Sequence, residues 1–108
     1  MKTENIFADI PATLREEHFE ELVRTDALLL ERIISRSHAT QPGQWYDQQR
    51  DEWVLLLAGS AGLRIEGREE IIVLQPGDYL LLPAHCRHRV EWTEADRETV
   101  WLALHYKS

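Results

Sequence analysis

From Arg87 to Trp92 the chain alternates strictly, with Arg87, Arg89 and Glu91 on one side and His88, Val90 and Trp92 on the other. A period of two marks a half-buried strand, so His88 is expected to point with Val90 and Trp92 toward an interior. The pattern after Asp26 stays strand-like throughout. It predicts strands near 27–38, 44–48, 52–58, 62–66, 69–74, 78–82, 87–92 and 98–106. Turn signals separate them: Gln41-Pro-Gly43, Gly59-Ser60, Glu66-Gly67, Gln75-Pro-Gly77 and Thr93 to Asp96. Many short strands at this spacing indicate an antiparallel sandwich or barrel.

Two segments lack polar alternation. Trp53 to Leu57 and Ile71 to Leu74 are apolar on both faces, so both faces need cover. One face fills the interior, and a homodimer is the economical cover for the other. Residues 1–26 differ in style and read as an extension of the same domain. Thr13 and Glu16 match a capping box, and Phe19, Leu22 and Val23 form a narrow apolar stripe. One short helix from about Leu14 to Arg24 is expected there, with the barrel over 27–108.

Length and composition narrow the class. At 108 residues the chain is one domain, and 44% hydrophobic with 29% charged residues suits a globular fold. The net charge of −7 and the absence of any Lys or Arg block argue against nucleic acid or an anionic membrane as a partner. Cys86 is the one cysteine, so no intrachain disulfide forms and a cytoplasmic location is expected. There is no apolar leader, no apolar run near the ~20 residues of a membrane span, no glycine-rich phosphate loop and no nucleophile elbow.

A histidine aimed into a β-lined interior is either a hydrogen-bonded core residue or a ligand. Asp47 and Glu52 flank a turn between strands, and Glu52 shares its face with Val54, Leu56 and Ala58. A carboxylate heading an apolar face is costly to bury unless it meets a cation or hydrogen-bond donors; otherwise it is wet at the barrel mouth. With His88 opposite, two carboxylates and an imidazole would make a mixed oxygen/nitrogen site suited to Fe, Mn, Ni or Zn as a divalent transition-metal cofactor. His85, three residues before His88, would complete the site or orient His88, or else is a turn residue bonded to backbone. His105 is a second-tier candidate, since its strand is apolar on both faces. Trp45, Tyr46, Val90 and Trp92 are candidates for a ligand pocket, the aromatic ones suiting a small ring or a sugar face.

The run Gly77, Pro83, His88 keeps the register of the second motif of the cupins: glycine, five residues, proline, one residue, glycine, two residues, histidine, three residues, asparagine. His85 replaces the second glycine and Trp92 the asparagine. Glu52 and Gly59 keep the closing half of the first motif; its two histidines are replaced by Trp45 and Asp47, or by Tyr46 and Gln48, depending on the gap. Over roughly residues 43–106 the chain therefore resembles a small single-domain cupin. The resemblance implies an all-β jelly-roll barrel, or double-stranded β-helix. It further implies a small-molecule-binding protein with a divalent-metal site, of dioxygenase or isomerase type. The alternatives are a metal-free cupin that binds a small metabolite without turnover, and a metal-independent His88–Glu52 acid–base pair as in sugar-epimerising relatives.

Overall fold

A computed structural model describes residues 1–107. Eight strands run in chain order: β1 His18–Arg24, β2 Leu28–Ser35, β3 Asp51–Ala58, β4 Ala61–Ile65, β5 Ile71–Leu74, β6 Tyr79–Leu82, β7 His88–Thr93 and β8 Thr99–Tyr106. They form an antiparallel five-stranded sheet in the order β1-β2-β8-β3-β6, and a three-stranded sheet in the order β5-β4-β7. The two sheets face one another as a jelly-roll barrel, as the strand pattern predicts. Among the described residues no helix is long and apolar enough to cross a membrane.

Alternation decides what fills the barrel. On β3, Val54 and Leu56 point inward with Leu63 of β4, Leu74 of β5, Leu82 of β6 and Trp101 of β8, forming one buried cluster. Each such aliphatic side chain contributes about 1.5–3 kcal/mol when fully buried. The outward residues of β3, Trp53, Leu55 and Leu57, are only half-buried. On β2 and β8 the outer face is sealed further: Ile34 and Val100 are 0% exposed. The N-terminal segment crosses there, held by the Arg32 guanidinium, which donates to the Ile6 and Ala8 carbonyls at 3.0 and 2.6 Å.

Two expectations from the sequence need correction. The helix over Leu14 to Arg24 is not formed; residues 18–24 are β1, in register with β2 from His18↔Ile34 to Arg24↔Leu29. The apolar stripe at Phe19, Leu22 and Val23 fits either period, and pairing with the free edge of β2 satisfies backbone groups along the whole segment. A bulge between Glu21 and Val23 blurs the period of two in the sequence. The second correction is the strand over 44–48, of which only an isolated bridge survives, Tyr46↔His88.

Candidate functional site

The bridge at Tyr46 positions the key imidazole. The Tyr46 N–H donates to the His88 carbonyl at 2.8 Å, and the His88 N–H donates back to the Tyr46 carbonyl at 3.1 Å. Facing residues of a bridge present their side chains on the same side. The Tyr46 and His88 rings accordingly stack, with centroids 5.5 Å apart and planes at 22°. His88 Nδ1 lies 2.9 Å from the Cys86 carbonyl. A carbonyl only accepts, so Nδ1 carries the proton and a neutral His88 keeps its lone pair on Nε2. That Nε2 is 3.6 Å from Glu52 Oε1.

Glu52 arrives from the start of β3 and is paired across the sheet with His105 of β8. It is 8% exposed, and Oε1 has no hydrogen-bond donor among the described residues. Burial pushes its carboxyl above the ordinary value; the charges of His105 and His88 pull it back down, and Glu31 adds to the rise. His105 Nε2 sits 2.9 Å from Glu31 Oε1 of β2. That hydrogen bond lifts the imidazole above its usual range, against the opposite effect of burial. Tyr46 is also raised, by burial first and then by the charges of Glu17, Glu52 and Glu31.

These groups line one cavity of about 70 Å³ together with Phe19, Ile33, Gln48, Val54, Leu63, Leu82, Val90 and Trp101. The mouth is tied to the barrel by a short relay. The Ser35 hydroxyl donates to Glu17, and the Trp101 indole N–H donates to Ser35 Oγ at 3.3 Å.

The residues foreseen from the sequence divide into two groups. His88, Glu52, His105, Tyr46 and Val90 all border the cavity. Asp47 and His85 do not; they pair with each other at 2.9 Å, with side chains 49% and 67% exposed. Trp45 is turned outward too, with the Arg87 and Arg89 guanidinium groups 5.9 and 5.8 Å from its ring. Trp92 parts from His88 and Val90 because the register between β4 and β7 slips between Gly62 and Leu63, leaving Glu91 as an extra residue. Past a bulge the alternation inverts, so Trp92 lies outside, 38% exposed. Its ring sits over Gly62, where an added Cβ would come within 2.3 Å of the indole nitrogen.

Glu17, Glu31, Gln48 and Trp101 complete the site; Glu17 and Glu31 were not singled out from the sequence, Trp101 was one of the aromatic residues some of which a barrel must turn to its cavity, and Gln48 entered as one of two alternatives for a motif histidine. With three residues between Gln48 and Glu52, the two histidine positions of the cupin motif fall on Tyr46 and Gln48, both at the cavity. Asp47, between them, necessarily points away. Glu31 carried a weaker signal, a lone acid between Leu30 and Ile33 in an otherwise apolar strand interrupted only by Arg32.

The donor set does not fit the divalent metal that the fold implies. A phenol and an amide stand where the motif places imidazoles, and the His105 Nε2 is engaged by Glu31. Among the described residues no three His, Cys, Asp or Glu side chains converge as a metal site. Asp47 and His85, expected as ligands, are paired in solvent. Transition ions need three or more converging nitrogen, oxygen or sulfur donors.

Fold and site together define a small barrel protein with a cavity bordered by carboxylates and imidazoles. The cupin domain profile matches residues 37–105, and the chain belongs to the cupin family. It is similar over its full length to a Ralstonia eutropha JMP134 protein called a "putative mannose-6-phosphate isomerase" (48% identity, 100% of both chains, TM-score 0.96). A cupin superfamily protein from Desulfitobacterium hafniense DCB-2 shares the fold at 19% identity over 92% of this chain and 84% of that one (TM-score 0.74). So does an RmlC-like cupin from Desulfovibrio desulfuricans, at 13% identity over 97% and 96% (TM-score 0.73). No curated protein matches the chain.

Proposed function

We propose that this cupin binds a small molecule in the barrel and moves a proton on it through Glu52 and His88, without a divalent metal. The observation that carries the reading is the buried Glu52 Oε1, with no hydrogen-bond donor, 3.6 Å from the His88 Nε2 lone pair. A carboxyl whose affinity for a proton is raised by burial acts as an acid in its protonated form, and an imidazole with its tautomer fixed by the Cys86 carbonyl is a base. On an α-hydroxy or α-amino carbonyl compound, His88 Nε2 takes the proton from the carbon next to the carbonyl. Glu52 gives its proton to the carbonyl oxygen, which leaves an enediol or enaminol. His88 then returns its proton to the former carbonyl carbon while the Glu52 carboxylate takes the proton of the neighbouring hydroxyl or amino group, which becomes the new C=O or C=N; both side chains regain their starting states and atoms and charge balance. The Glu31–His105 pair lies beside Glu52 as a charge-compensating neighbour.

An isomerase type agrees with the name carried by the Ralstonia relative, but a hexose phosphate does not suit this cavity. About 70 Å³ holds only a handful of water-sized sites, at roughly 10–15 Å³ each. Its ionisable lining is carboxylate and imidazole, with no Lys or Arg among the described residues. A substrate of a few carbon atoms without phosphate fits better.

The test is deuterium exchange. Protein treated with a chelator is incubated in D2O with glycolaldehyde, dihydroxyacetone or aminoacetone, and loss of the carbon-bound proton is followed by NMR. The expected result is catalysed exchange that survives the chelator and falls at least ~100-fold in His88→Ala and Glu52→Gln, the usual range for an acid–base group. Exchange that vanishes with the chelator and returns with iron, manganese, nickel or zinc would restore the metal reading. Saturable binding with no exchange would leave a metal-free binder, the second reading.

A further inference from the structure

The cavity has a sign of charge, and that sign constrains what enters it. Three carboxylates border it, Glu17, Glu31 and Glu52, and among the described residues no Lys or Arg does. Glu31 is compensated by His105. Glu17 receives only a neutral donor, the Ser35 hydroxyl. Glu52 is nine-tenths buried, at 8% exposure, and its Oε1 is an acceptor without a donor. Gln48 Oε1 is a second buried acceptor in the same condition. Each is a debt of hydrogen bonding that a ligand can discharge, because buried acceptors are nearly always paired.

Four kinds of small ligand can be compared against these facts. An anion enters against the carboxylates. A neutral alcohol donates one hydrogen bond and leaves the charge unanswered. A quaternary ammonium answers the charge and donates nothing. A protonated primary amine supplies a positive charge together with three N–H donors. The rings of Tyr46 and Trp101 at the cavity add a favourable surface, since an aromatic face attracts a cation.

From this we infer that the cavity is a site for a small protonated primary amine, its ammonium group donating to Glu52 Oε1 and its short carbon stem against the aromatic wall. The inference rests on the reading of the cavity as a small-molecule site, and it does not need the proton-transfer step. A cavity of about 70 Å³ has room for the ammonium group and a short stem, at ~10–15 Å³ for each water-sized site.

The experiment is an NMR titration of the full chain at constant ionic strength near neutral pH, reading the Trp101 indole signal. The probes are isopropylammonium chloride, isopropanol, tetramethylammonium chloride and inorganic phosphate. Isopropylammonium should saturate and bind at least ~10-fold more tightly than isopropanol or tetramethylammonium, with no response to phosphate. Glu52→Gln should weaken the amine at least ~10-fold and leave isopropanol unchanged. Gln48→Leu, which removes the other acceptor, serves if Glu52→Gln does not fold. Equal binding of amine and alcohol overturns the inference. So does binding of phosphate, an amine that fails to saturate, or an amine affinity indifferent to both substitutions. Amine binding without deuterium exchange would leave this inference standing while rejecting the proton-transfer proposal, and the reverse pattern would do the opposite.

Discussion

Glu52→Gln should make the protein more stable at alkaline pH while it disables the site. In the folded chain Glu52 is raised above its ordinary value of 4.5 by burial, with the charges of His105 and His88 opposing and Glu31 reinforcing. The folded state therefore holds a proton that the unfolded chain has lost, over the window from that ordinary value up to the raised one. Unfolding free energy falls as pH rises through this window and stays lowered above it. Glutamine has no proton to lose, so the advantage of the variant is near zero at acid pH and reaches its plateau above the window. The plateau reflects a buried carboxylate oxygen without a donor, a deficit of about 1–3 kcal/mol. The Gln amide can donate an N–H toward the His88 Nε2 lone pair, which faces that oxygen at 3.6 Å. His105 is also raised, first by its hydrogen bond to Glu31 and in part by the charge of Glu52; it lowers stability with rising pH in the same direction, and the part of its rise that Glu52 causes is lost in the variant. Urea unfolding at pH 4 and pH 8 measures the difference, with equal m-values as the check that only stability changed. A gain of ~1 kcal/mol or more at pH 8, about 4–8 °C in Tm per kcal/mol for a domain of this size, with little gain at pH 4, is expected. A variant that is less stable at pH 8, or equally shifted at both pH values, would refute the argument.

Two further outcomes are expected. His85 adopts φ 62°, a left-handed conformation at the position where the cupin motif has glycine; His85→Gly removes a strain of about 1–2 kcal/mol and loses only the exposed side-chain contact with Asp47, worth ~0–1 kcal/mol. The variant should be as stable as the parent or slightly more so in urea, with unchanged ligand binding, and a loss above ~1 kcal/mol would show that the Asp47 pair matters. On the outer face of the five-stranded sheet, Tyr79 and Leu81 are 66% and 49% exposed beside Trp53, whose ring lies 5.4 Å from that of Tyr79. A homodimer is expected to bury this face, with a standard interface of about 1,600 Å²; light scattering should give the dimer mass for the parent and the monomer mass for Leu81→Asp, and a monomeric parent at micromolar concentration would contradict it.

Strand content was legible wherever alternation was clean or turn residues punctuated it, which is why seven of the eight expected strands reappear within a few residues of their expected ends. What the sequence hid follows from three physical causes. A bulge at Glu91 changes no residue type in the pattern, yet it carries Trp92 from the inside to the outside. A two-residue bridge at Tyr46 and His88 is too short to leave a period. His105 lies on a strand apolar on both faces, so its direction became visible only through its register with Glu52. The site was half readable for the same reasons: Glu52 and His88 head apolar faces and declare themselves, while the partners that set the charge of Glu52, His105 and Glu31, come from strands distant in sequence.

Those partners fall on both sides of the boundary of the family match. The cupin match begins at residue 37, and it contains Tyr46, Gln48, Glu52, His88 and His105, the groups proposed to bind and move protons. Glu17, Phe19, Glu31 and Ile33 reach the same cavity from before that boundary, on β1, on β2 or, for Glu17, just ahead of β1. Two of the three cavity carboxylates therefore lie outside the matched segment. Because β1 occupies the free edge of β2 and is fastened by the Glu17–Ser35–Trp101 relay, it acts as the wall that closes the barrel on one side. The Glu52–His88 pair proposed to act as acid and base thus lies within the matched segment, whereas two of the carboxylates that border the same cavity, Glu17 and Glu31, come from the chain before residue 37.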